Sequence, residues 1–244
     1  MSDVREVLEK AYKELAVKDF PDGDRIRFIA ELGASDDIDY HYKLICDSWK
    51  SGRRLYLENS FDRHGAEGIE FLFAKLCEVE GDIIKVLTAY LIAEILSKSR
   101  HRDFYAGFCK RLIPILISEI KTCDEVLRRK LIIALGWVGT SNEIGFLTRQ
   151  MLSDDDALCR VWSASSLMQM SFHGVSKEEV CEASKDAFAK VLSDEKDIQA
   201  CGLILESVQT LYGKKWVSSS AVEDVDEARI EKGRKSALRF LSKL

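Results

Sequence analysis

Apolar and polar positions recur with helical spacing along most of the chain, and in one place the same pattern occurs twice. Residues 124–136, DEVLRRKLIIALG, and 156–168, DALCRVWSASSLM, align without a gap at an offset of 32 residues. Each copy opens with Asp, carries Arg at +4 (Arg128, Arg160) and Leu at +11 (Leu135, Leu167). Positions +3, +7 and +10 are small or apolar: Leu127, Leu131 and Ala134, then Cys159, Ser163 and Ser166. An acidic start before a 3.6-residue apolar period predicts an amphipathic helix. Its return at this interval predicts a stacked array of helix pairs.

From residue 66 the pattern predicts four pairs: 67–78 with 82–98, 103–121 with 124–138, 142–152 with 155–170, and 177–192 with 194–212. An acid at the start of a second helix caps free N–H groups and suits the helix dipole. The aligned starts are Asp82, Asp124, Asp156 and Asp194. Before the array, residues 3–18, 24–33 and about 35–50 read as helices, with a turn at Phe20-Pro21-Asp22-Gly23. Residues 53–65 are the least periodic and read as a short helix and a loop. After the array, 213–223 is a polar interruption, and about 224–244 is a last helix with one apolar side. The expected organisation is one continuous all-α, right-handed solenoid: capping helices over 1–65, paired helices over 66–212, and a loop with a capping helix over 213–244. Terminal helices with a polar back are what such an array needs at its open ends.

Composition agrees with an all-helical chain. Only two of 244 residues are Pro, well below the usual ~5%, and Pro breaks helix interiors. Apolar residues make up 46% and charged residues 32%, a balance that supports a packed core. The net charge of −5 argues against nucleic acid as a partner, where a basic face supplies most of the affinity, and suits a basic protein. The seven cysteines, Cys46, Cys77, Cys109, Cys123, Cys159, Cys181 and Cys201, are odd in number and lack C-x-x-C spacing. They read as small core residues in a reducing compartment. No apolar run reaches the ~18 residues of a membrane span, and the N-terminus lacks a signal-peptide core. A cytoplasmic location is expected.

The pattern D-x-x-x-R-x-x-x-x-x-[AS]-L at 124–135 and 156–167 resembles the second helix of HEAT repeats, especially the short bacterial HEAT-like class related to phycobilin-lyase subunits. The match is partial at 82–96 and 194–208, where Val86 and Ile198 replace the Arg. The resemblance covers about 66–212. It implies a scaffold or protein binder, with enzymatic, chaperone-like and toxin-immunity roles among such proteins. It also implies that Asp124 and Asp156 form a ladder with Arg128 and Arg160 that stacks neighbouring repeats.

Catalytic patterns are missing. His41, His64, His101 and His173 are scattered, with no H-E-x-x-H. Asp36-Asp37 and Asp154–Asp156 stand at helix starts, where capping explains them better than metal ligation. Gly136, Gly139 and Gly145 do not form a phosphate loop, and G-x-S-x-G does not occur. No cofactor and no metal are expected. A HEAT-like DNA-binding or repair role would need a basic groove, and acids interrupt the clusters at Arg53-Arg54, 98–102 and Lys214-Lys215-Trp216.

Positions +1, +5, +8 and +12 of each second helix fall on one stripe. They are Ile83, Leu87, Tyr90 and Glu94; Glu125, Arg129, Ile132 and Gly136; Ala157, Val161, Ala164 and Met168; and Glu195, Gln199, Gly202 and Glu206. Glu94 and Glu206 share a position within apolar runs. Such acids either face solvent on the inner surface or pair internally. The resemblance places second helices on a concave face, so Glu94, Glu125, Arg129, Trp162, Glu195 and Glu206 are the candidate partner contacts, while core packing remains open for Trp162. The expected function is non-enzymatic binding of a protein partner by a monomer or weak oligomer. Its concrete form would be an inhibitor or immunity protein neutralising a basic toxin such as a nuclease. The alternative is a bilin-lyase-like enzyme or cofactor chaperone.

Overall fold

The computed structural model describes residues 2–78, 82–121 and 124–244, apart from the side chains of Ser2, Asp3 and Asp82. The expected cap at Asp82 and the thiol of Cys123 therefore lie outside the described residues. Among those described, the chain is helical throughout and has no strand. In order, the helices are α1 (Ser2–Val17), α2 (Asp22–Ala34), α3 (Ile38–Ser51), α4 (Gly65–Glu78), α5 (Asp82–Lys98), α6 (Tyr105–Ile120) and α7 (Glu125–Val138). They continue as α8 (Ile144–Ser153), α9 (Ala157–Met170), α10 (Lys177–Asp194), α11 (Ile198–Tyr212), α12 (Ser219–Glu223) and α13 (Glu227–Leu241). None is long and apolar enough to cross a membrane.

The chain forms two compact units, 1–95 and 96–244, with the boundary inside α5. In the first, the aperiodic stretch is a short loop, residues 53–56, followed by a 3₁₀ helix, Leu57–His64. Its Leu57, Ser60 and Phe61 are buried. It packs on α2, where the Ser60 hydroxyl donates to the Ile29 carbonyl at 2.6 Å. Gly33 does not end α2; it lies within it, and a Cβ there would meet Ser60 at 2.7 Å. The absent side chain is what lets the 3₁₀ segment sit close.

In the second unit, α6 packs on α7, α8 on α9 and α10 on α11, while α7, α9 and α11 pack side by side in series. α13 closes against α10 and α11 with Ile230, Gly233, Ala237 and Leu241 buried. The expected loop at 213–223 contains α12, whose Ala221 and Val222 are buried, so the C-terminal cap is two helices rather than one. The preceding turn is held by Gln209, whose side-chain oxygen accepts from the N–H groups of Trp216 and Val217 at 2.9 and 3.1 Å.

Candidate functional site

The site is built from three helix starts. Asp124 caps α7, accepting from the Leu127 N–H at 2.9 Å. Asp156 caps α9 through the Cys159 N–H at 2.7 Å. The cap of α11 is Asp197, accepting from the Ala200 N–H at 2.9 Å, and not Asp194, which ends α10. The fourth copy is thus displaced by three residues from the sequence alignment. Counted from these caps, positions +3, +7, +8, +10, +11 and +14 are buried in all three helices. Those are the small and apolar positions of the repeat, and close packing of helix on helix is their role.

This register corrects the proposed stripe. In α7 and α9 position +8 is buried, and so is Gly136 at +12 of α7, while Met168 at +12 of α9 is half-buried. A Cβ on Gly136 would meet Ser166 at 2.7 Å, and the Ser166 hydroxyl donates to the Ile132 carbonyl at 2.9 Å. Val161 and Ala164 are buried too. Open positions lie one residue later, at +2, +6, +9 and +13. There Val126, Leu158 and Trp162 are 54%, 39% and 38% exposed. Ile133, Trp137, Leu203 and Glu206 are half-buried on the same face. In α5, Ile83 is exposed and Leu87, Tyr90 and Glu94 are half-buried, whereas Thr88, Ala89, Leu91, Ile92 and Ile95 are buried. Counted from its cap Asp197, Glu206 stands at +9. Glu206 and Trp162 are on the open face of the second unit, and Glu94 is on the open side of its own helix.

The ladder is present, with different partners from those expected. The Arg128 guanidinium donates through Nε and Nη2 to the two carboxylate oxygens of Asp154, both at 2.8 Å. Arg160 makes the same paired contact with Glu195, at 2.7 and 2.8 Å. In each case Arg at +4 of one second helix holds an acid two residues before the cap of the next. Both acids also accept backbone N–H bonds around that cap: Asp156 onto Asp154, and Lys196 and Asp197 onto Glu195. Asp124 takes no part, and Asp156 is held by Arg129 at 2.9 and 2.7 Å.

Glu195 and Arg129 are accordingly engaged inside the fold. Glu195 is only 7% exposed. Burial alone would raise its carboxyl, but the Arg160 guanidinium and the Asp197 and Lys196 N–H groups outweigh it and hold it below the usual range. The Arg129 contact lowers Asp156 to about 2. Glu125 remains exposed at the start of α7.

Two features were invisible in the sequence. His41, on α3, and His64, ending the 3₁₀ helix, meet at 2.8 Å between Nδ1 and Nε2. His41 Nε2 is 2.8 Å from the Leu57 carbonyl, which only accepts, so that nitrogen carries the proton. Its bare Nδ1 then accepts from His64 Nε2–H. Burial pushes His41 down to about 4 and lowers His64. The second is a cleft of about 710 Å³ over α6 and the turns before α8 and α10, floored by Ile113, Pro114, Val138 and Val175. Burial raises the Cys109 thiol in it to about 11, far from a thiolate nucleophile. Cys159, Cys201 and Cys46 are likewise buried free thiols. No group of three or more His, Cys, Asp or Glu able to hold a metal occurs among the described residues.

No protein-family model, curated protein or solved structure matches the chain.

Proposed function

We propose that the chain is a HEAT-like helical-repeat binding protein, a right-handed α-solenoid without enzymatic activity. It grips a protein partner with the open face of α7, α9 and α11. One observation carries this reading. Helices α7 and α9, packed side by side in the same register, leave Val126, Leu158 and Trp162 exposed. Scattered apolar residues on a surface need no explanation, but a group on neighbouring helices, Val126 and Leu158 at +2 with Trp162 at +6, does. Tryptophan in such a group is the residue type that dominates binding energy. The −5 net charge suits a basic partner, and an inhibitor or immunity protein acting on a toxin such as a nuclease is the concrete form of the reading.

Affinity capture from the native host tests it, using the wild-type chain, Trp162→Ala, and Lys190→Ala on the exposed side of α10 as control. A protein partner held by wild type and by Lys190→Ala but lost by Trp162→Ala is expected. A partner held equally by all three would sink the face. A copurifying chromophore in place of a protein would move the reading to the bilin-lyase relatives.

A further inference from the structure

We propose that the occupant of this face is a cationic amphipathic helix of the partner, laid across the N-terminal halves of α7, α9 and α11. The proposal rests on the binding reading above and names what is bound.

The apolar part of the surface sits near the helix starts: Val126 and Leu158 at +2, and Trp162 one turn further along α9. Packed helices lie roughly 8–10 Å apart. Seven residues of an α-helix rise about 10 Å. A partner helix crossing the three starts therefore meets successive ridges at heptad spacing, with one apolar stripe facing down.

The adjoining edge is predominantly acidic. Asp124, Glu125, Asp155, Asp194 and Asp197 are all exposed there, against the exposed Lys196 and the half-buried Lys130 at +6 of α7. The arginines that would neutralise them are spent: Arg128, Arg129 and Arg160 are each locked onto a carboxylate of the ladder. Helix N-termini carry partial positive charge, but the Asp124, Asp156 and Asp197 caps already occupy N–H groups at all three. The edge thus repels phosphate and complements lysine or arginine on the flanks of an apolar stripe. Nucleic acid and anionic membrane fit neither the charge nor the ridge spacing.

Three synthetic helical peptides test the proposal against the full chain. One carries leucine at heptad a and d positions with lysine elsewhere. A second replaces each lysine by glutamate. A third has the composition of the first with its leucines scattered around the helix. Fluorescence anisotropy should show binding of the first, none of the second, and at least about tenfold weaker binding of the third. Trp162→Ala and Leu158→Ser should each weaken the first peptide about tenfold or more, as should the double change Asp155→Lys/Asp194→Lys. Rising salt should weaken it as well, and circular dichroism should show every variant folded. Equal binding of the glutamate peptide, or unchanged binding to Trp162→Ala, overturns the proposal. The two readings fail separately. If the host partner is lost by Trp162→Ala but is neither displaced by the lysine peptide nor weakened by Asp155→Lys/Asp194→Lys, only the cationic helix is wrong. If the host partner survives Trp162→Ala, the face itself is wrong.

Discussion

At the scale of residues, the buried charge and the missing side chain have consequences that can be measured. Glu195 is held by Arg160 and two backbone donors in a buried setting. Arg160→Ala leaves that carboxylate without its cation, and thermal or urea unfolding should show a loss of about 3 kcal/mol. The double change Arg160→Met/Glu195→Leu should recover most of it, because neither charge then has to be desolvated. Gly136 and Gly107 make a matched pair, since both are helical glycines. Gly136→Ala pushes a Cβ into Ser166, including its Cα at 2.8 Å, and should cost about 1–3 kcal/mol. Gly107→Ala meets nothing within 4 Å and should gain roughly 0.5–1 kcal/mol from helix propensity. Equal melting points for the two variants would show that the α7–α9 approach is looser than described.

At the scale of elements, the helices were legible because their evidence is local. The apolar period and the acidic caps placed α7 and α9 within two residues. The register of α11 was not legible, since Asp194, Glu195 and Asp197 are three acids in four residues. Only the bond to the Ala200 N–H says which one caps the helix. A slip of that kind moves Glu195 from a buried acid before the cap of α11 into its first turn, whereas Arg129 is engaged by Asp156, a contact between helices that no periodicity reveals. The histidine pair was hidden for the opposite reason: it joins α3 to a 3₁₀ segment 23 residues away and has no periodic signature. It makes the first unit acid-sensitive. Above about pH 6.5 His41 is neutral in both folded and unfolded chains, and its contribution is fully present. As the pH falls toward about 4, the unfolded chain takes up a proton that the folded site refuses, and stability drops by up to roughly 3 kcal/mol. His41→Gln keeps a donor for the Leu57 carbonyl but does not titrate. Urea melts at pH 7 and pH 4.5 should therefore show a smaller acid loss for the variant than for wild type.

At the scale of the whole molecule, each compact unit has its own core, and the second is closed at its C-terminal end by α12 and α13. Their Val222 and Ile230 lie against Gly202 of α11. Removing residues 219–244 exposes that apolar surface, and gel filtration should show the shortened chain self-associating where the full chain does not. Partner chemistry is the part least written in the sequence. Repeat positions specify stacking, and only the leftover positions between them are free to vary with what is bound.

The Arg128–Asp154 and Arg160–Glu195 contacts have a direction, because each repeat supplies the cation and its successor supplies the anion. A segment that receives at one end and gives at the other can be copied in tandem. Residues 139–170 are such a segment: a second copy inserted after 170 would find Arg160 waiting for its Asp154, and would offer its own arginine to Glu195. The chain can be lengthened in its middle by this route. The ladder itself ends at α11, where Cys201 stands at +4 and offers no cation. The molecule carries its own stop rule, written in one side chain.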